Sequence, residues 1–260
     1  MAPDIRTVNI CRYVMPLREG GSLPAIAEAD DGFLYAVKFR GAGQGVKSLV
    51  AEFLGGEIAR ALGLKVPEIV FAQLDEGFGR TEPDEEIQDL LKASTGLNLG
   101  LHYLSGAVTF DPAAVQPDPI FASSVVWLDA LLLNVDRTTR NTNMLVWKKE
   151  TWLIDHGACL YFHHAWSNHK DYILNPFNQV EDHVLLPYAS ILDEVNDRFR
   201  NILNRERIVS ICDALPEEFL NYEGATAKEI RAVYADFLFN RVMSSDVFSN
   251  NAKSLHEALV

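Results

Sequence analysis

The chain has 260 residues, of which 48% are hydrophobic and 23% charged, with a formal net charge of −13. That balance belongs to a globular protein able to bury one large core or two smaller ones, and one unit with two lobes is expected. The acidic excess argues against a nucleic-acid or anionic-membrane surface, because phosphate backbones are bound through clustered Lys and Arg.

Any phosphate ligand must then be held locally, by a metal ion, a lysine or backbone N–H groups. The opening MAPDIRTVNI lacks the basic and apolar runs of a secretory signal, and no segment reaches the roughly 20 apolar residues that cross a bilayer. A cytoplasmic protein without a membrane partner is expected. The widely spaced Cys11, Cys159 and Cys212 form neither a disulfide framework nor a CxxC clamp, so reduced thiols are expected.

In chain order, LREGGSLPAIAEADDG (17–32) places Gly20, Gly21 and Ser22 before an apolar stretch and Asp31-Gly32 at a turn. A hairpin follows, with the glycine pair at its open end. It leads into FLYAVKF (33–39), where Phe33, Tyr35, Val37 and Phe39 share one strand face and Leu34, Ala36 and Lys38 the other. A second glycine-rich stretch, GAGQG, occupies 41–45.

From Lys47 to Leu62 the positions Val50, Leu54, Ile58, Ala61 and Leu62 recur at helical spacing before Gly63, predicting an amphipathic helix. Gly55-Gly56 inside it costs about 1 kcal/mol per glycine against alanine, which close packing on a neighbouring strand would explain. VPEIVFAQL (66–74) reads as a strand. The glycine- and acid-rich stretch after it is the expected junction between a first lobe of residues 1–75 and a second of 76–260.

EPDEEIQDLLKAS (82–94) and FASSVVWLDALLLN (121–134) read as helices, the second apolar enough to be buried. NMLVW and TWLID flank Lys148-Lys149-Glu150 as a hairpin, and ATAKEIRAVYADFLFNRV (225–242) predicts a late helix. A strand-rich start followed by a mainly helical remainder makes the fold class α+β.

Four features follow in order: a Gly-Gly-Ser turn, a strand lysine, a helical glutamate, and two aspartates, Asp136 and Asp155, separated by a short hairpin. Phosphoryl transfer needs this division of labour. Its transition state spreads negative charge over the transferred group, so the protein supplies positioning and positive charge through lysine and carboxylate-held Mg²⁺.

Through AVKF, LVAEFLGGEIARALGLKVPE, NVDRTTRNTNMLVW and WLIDHGACL, the sequence resembles the HipA-like kinases, relatives of protein kinases. The resemblance implies a bilobal kinase-like fold that uses ATP and Mg²⁺, with an unidentified hydroxyl acceptor on a protein or small molecule. It implies that Lys38 contacts the α- and β-phosphates while a helical carboxylate, Glu52 in preference to Glu57, holds its ammonium. Asp136 looks like the catalytic-loop aspartate that orients or deprotonates the attacking hydroxyl. Asp155 resembles the DFG aspartate that binds Mg²⁺, with His156 in place of the usual Phe.

The DxxxxN spacing selects Asn141 as a further metal ligand, in preference to Asn143, which sits where the metal-binding asparagine of protein kinases starts its strand. Gly20, Gly21 and Ser22 would present N–H groups to the β- and γ-phosphates, a role for which GAGQG competes. Two rival readings stay open. His156 and the irregular glycine turn suit a nucleotide-binding pseudokinase or interaction module, and His163, His164 and His169 invite a metal-dependent hydrolase, although their spacing alone sets no tetrahedral site.

Overall fold

The expected alternation of FLYAVKF appears as strand β3 (Leu34–Lys38), in which Tyr35 and Val37 are buried and Leu34, Ala36 and Lys38 are half-buried. Phe33 lies before the strand and is exposed. The structure, a computed structural model, describes residues 3–17, 23–80 and 82–259. With β1 (Thr7–Pro16), β2 (Ala25–Ala29), β4 (Ile69–Leu74) and β5 (Gly96–His102), β3 forms a closed barrel in the order β1-β2-β3-β5-β4.

The β2–β3 hairpin is antiparallel with Ala25 opposite Val37, as expected, and β1 closes the barrel by running parallel to β4. Val8, Ala25, Ala27, Tyr35, Val37, Val70 and Leu74 fill its interior.

Strand β5 was not expected, because Gly96, Asn98 and Gly100 dilute its β-propensity. It pairs with both β3 and β4. The stretch after Leu74, expected as the junction between lobes at residue 75, therefore leads to helix α2 (Glu85–Ala93) and back into the barrel. Asp84 starts α2 by accepting the backbone N–H groups of Glu86 and Ile87.

Helix α1 (Gly45–Ala61) is buried continuously from Leu49 to Ala59, so it is not the amphipathic helix its spacing predicts. It lies between the barrel and α5 (Arg205–Asp213), with Phe53 stacked on Phe71 of β4 at 5.8 Å and Phe71 edge-on to Phe219 at 6.1 Å. Its two glycines have different reasons. A Cβ at Gly56 would lie 2.6 Å from Ile69 Cδ1, the strand contact expected, whereas one at Gly55 would lie 2.6 Å from His156 Cβ.

The remainder surrounds α3 (Pro119–Leu132), against which α4 (Leu192–Ile202), α6 (Ala227–Met243) and α7 (Asp246–Leu259) pack. Trp127 of α3 is fully buried and donates its indole N–H to Asn196 Oδ1 at 2.8 Å. β7 (Met144–Trp147) and β8 (Glu150–Leu153) form the expected hairpin, joined by a third strand, β6 (Val108–Thr109). Its turn is Lys148-Lys149, both at positive φ, and Glu150 belongs to β8. α1 shares one core with α3 and the later helices, so it links the barrel to the rest. Among the described residues no helix is long and apolar enough to cross a membrane.

Candidate active site

Lys38 ends β3 with its side chain largely covered, and its ammonium donates to Glu52 Oε2 and to Asp155 Oδ1, each at 2.5 Å. Glu52 is fully buried on α1, while Asp155 follows β8 with its side chain 44% exposed. Glu57 faces away and pairs with Arg60 at 3.2 Å. Three of the residues singled out by sequence are thus brought together from three elements.

Burial pushes the Glu52 carboxyl up, but the Lys38 ammonium and the neighbouring His156 pull it down further, to about 2. Burial lowers the Lys38 ammonium, and the carboxylates of Glu52 and Asp155 more than reverse this, leaving it raised. Because the Glu52 value in the folded chain lies below its ordinary 4.5, its contribution is present above pH 4.5 and lost as pH falls toward 2. In urea unfolding at each pH, the stability difference between the wild type and Glu52→Gln should therefore be level above about pH 5 and shrink by about 3 kcal/mol across that window. A difference that stays constant between pH 6 and 2.5 would contradict it.

The second group is built at the end of α3. Asp129, a lone carboxylate in an apolar helix, is fully buried and accepts from Asn134 Nδ2 at 2.9 Å, Arg137 Nε at 2.5 Å and His183 Nε2 at 2.9 Å. His183 Nδ1 accepts the Leu185 N–H at 3.0 Å, which puts the ring proton on Nε2. Burial raises the Asp129 carboxyl, and Arg137 and His183 outweigh it, holding it well below the usual range.

This frame carries Asp136. Its backbone N–H donates to Asn134 Oδ1 at 3.1 Å, and its Oδ2 accepts from Asn141 Nδ2 at 3.1 Å and Asn143 Nδ2 at 3.0 Å. Asn141, favoured by spacing, and its alternative Asn143 therefore both meet Asp136. Asn141 is exposed; Asn143 is buried, and its carbonyl accepts from Arg137 and from the Ile154 N–H at 3.0 Å, beside Asp155. Asn143 and Asp155 are both left-handed, at φ 48° and 58°, one just outside each strand at the hairpin's open end.

Gly20, Gly21 and Ser22 lie outside the described residues. In GAGQG, Gly41 donates its N–H to Ser94 Oγ at 3.1 Å and Gly45 to Ala42 O at 2.7 Å, so these amides are committed to the lead-in of α1. The histidines do not converge. His163 Nδ1 meets Tyr234 OH at 3.1 Å and His169 Nδ1 meets Trp166 O at 3.0 Å; burial pushes His163 down to about 3. Among the described residues no three His, Cys, Asp or Glu side chains are arranged to hold a metal ion.

Neither motif spacing nor periodicity assigns a role to Asp129, Asn134, Arg137 or His183. A carboxylate inside VVWLDALLL was the available signal for Asp129, since an unpaired charge there is expensive; nothing pointed to His183, which comes from 54 residues away.

The chain matches the HipA-like kinase family over residues 10–250. Among solved structures it is similar to the Helicobacter pylori proinflammatory kinase CtkA, with 15% identity, 97% of this chain and 99% of that chain covered, and a TM-score of 0.55. A looser likeness is to the Golgi casein kinase with Mn/ADP bound, at 12% identity over 99% of this chain and 74% of that chain, TM-score 0.46. Comparison with the curated proteins gives no match. A family match spanning nearly the whole chain, on an α+β kinase-like fold, means that this protein belongs to the HipA-like kinases.

Proposed function

We propose that the chain is an ATP- and Mg²⁺-dependent phosphotransferase that moves a γ-phosphoryl group to a hydroxyl acceptor. The observation that carries this reading is the meeting of Lys38 with both Glu52 and Asp155, the latter 117 residues away in sequence, at 2.5 Å. In this reading the barrel through His102 is the small lobe and the remainder the large one.

The donor set fits the metal. Asp155 offers a half-exposed carboxylate, and Asn143 lies across from its neighbour Ile154; hard oxygen donors of this kind suit Mg²⁺, which keeps much of its water and ligates phosphate. Lys38⁺ with two carboxylates leaves the cluster at net −1, which repels a bare triphosphate and favours one accompanied by a divalent cation. When bound, the metal supplies positive charge to the phosphates.

The chain's own residues do the rest. Glu52 keeps the Lys38 ammonium aimed at the α- and β-phosphates. Asp136, its carboxylate fixed by the Asn141 and Asn143 amides, orients the acceptor hydroxyl and takes its proton. Asn143, tied to the backbone beside Asp155, is the metal-binding asparagine in preference to Asn141.

The test is transfer of labelled γ-phosphate, with thermal shift by Mg-ATP as the binding measure. Turnover in the wild type, lost in Asp136→Ala and reduced more by Asn143→Ala than by Asn141→Ala, is the expected result. Binding without turnover would make the protein a nucleotide-binding module, and neither binding nor turnover would overturn the reading.

A further inference from the structure

His156 is fully buried, yet neither of its ring nitrogens has a hydrogen-bond partner, and Glu52 Oε1 has none either. His156 Nδ1 and Glu52 Oε1 lie 3.7 Å apart. A water cannot bridge them, because two normal hydrogen bonds meeting at one water separate their outer atoms by about 4.5 Å. A shift of about 0.5 Å, within ordinary atomic fluctuation, makes the contact direct.

The surroundings are built to put the ring there. Gly55 lies one turn beyond Glu52 on the same face of α1, and any side chain at Gly55 would displace His156, its Cβ falling 2.6 Å from His156 Cβ and 2.9 Å from Cγ. The backbone is pinned as well, with the His156 carbonyl accepting the Cys159 N–H at 3.0 Å. If the ring merely filled space, phenylalanine would do so without burying two polar atoms beside a buried carboxylate.

We infer that His156 is a positioning residue: its Nδ1–H donates to Glu52 Oε1 and locks the carboxylate that grips Lys38 to the turn that presents Asp155. Glu52 is then held at both oxygens, by Lys38 on Oε2 and His156 on Oε1. Neither the lysine nor the aspartate can drift without moving the other. This rests on the kinase reading of Lys38 and Asp155.

Three measurements test it on the full chain: the Kd of a fluorescent ATP analogue with Mg²⁺, kcat/KM under the same conditions, and urea unfolding without nucleotide. His156→Phe should weaken analogue binding and lower kcat/KM by roughly tenfold each, as loss of a hydrogen bond to a charged group requires. His156→Asn, whose amide N–H falls near the position of imidazole Nδ1, should restore both to within about threefold of wild type. In a Glu52→Gln background His156→Phe should cost less than about twofold more, because the two residues act as one unit.

If His156→Phe and His156→Asn behave alike, or if His156→Phe has the same effect with and without Glu52→Gln, the inference is overturned. A wild type that binds no nucleotide overturns the kinase reading itself. The unfolding measurements still decide His156 in that case: additive effects of His156→Phe and Glu52→Gln on stability would rule out the contact.

Discussion

Asp155→Ala should abolish phosphoryl transfer, lowering kcat/KM by at least about a thousandfold, equivalent to about 4 kcal/mol of transition-state stabilisation. Asp155 presents its carboxylate to the Lys38 ammonium from a left-handed residue at the end of the β7–β8 hairpin, next to Ile154, whose N–H donates to the Asn143 carbonyl. Among the described residues no other carboxylate contacts Lys38 from this side, since Glu52 approaches from α1 and is enclosed. The fold should survive. The side chain is 44% exposed and its pairing with Lys38 is backed by Glu52, so melting in the absence of nucleotide should move by only a few degrees. A Mg²⁺ titration of activity checks the assignment: a variant within tenfold of wild type, with the same Mg²⁺ dependence, would mean that Asp155 holds no metal.

Asp129→Ala should produce the largest loss of stability, about 3–5 kcal/mol, because it leaves the Arg137 guanidinium buried without its carboxylate. Both side chains are completely enclosed, and the same carboxylate holds Asn134 and His183. Three donors would lose their acceptor at once. For a chain of this size that corresponds to a fall of roughly 10 °C in Tm, read by calorimetry or urea unfolding. Asp129→Asn keeps one acceptor oxygen and should cost less. Activity should fall as well, since Asn134 and Arg137 carry the Asp136 loop, while Mg²⁺ dependence stays unchanged. A loss below about 1 kcal/mol would show that the network stabilises little.

The Lys38 strand was legible because a half-buried strand must alternate, and the residues around Lys38 alternate cleanly. The β7–β8 hairpin was legible for the same local reason, with the three polar residues Lys148, Lys149 and Glu150 between apolar runs. Helix α1 was legible as a helix but not in its burial. A helix enclosed on every side carries no stripe that distinguishes Glu52 from Glu57, and only the partner brought to each, Lys38 for one and Arg60 for the other, separates them. Asn141 and Asn143 present the same difficulty. Spacing counts residues along a loop, whereas only the fold shows that Asn141 is exposed while Asn143 is buried with its carbonyl accepting the Ile154 N–H.

By itself, then, the sequence determined the local periods, the order of the chemical groups along the chain and the family they resemble. The tertiary structure decided the return of β5 to the barrel, the enclosure of α1, the four-residue frame on Asp129 and the placing of His156 over Gly55. The physical reason is range. Periodicity and turn chemistry act over a few residues, while a buried carboxylate is satisfied by whatever donor long-range packing delivers, here Arg137 from 8 residues away and His183 from 54.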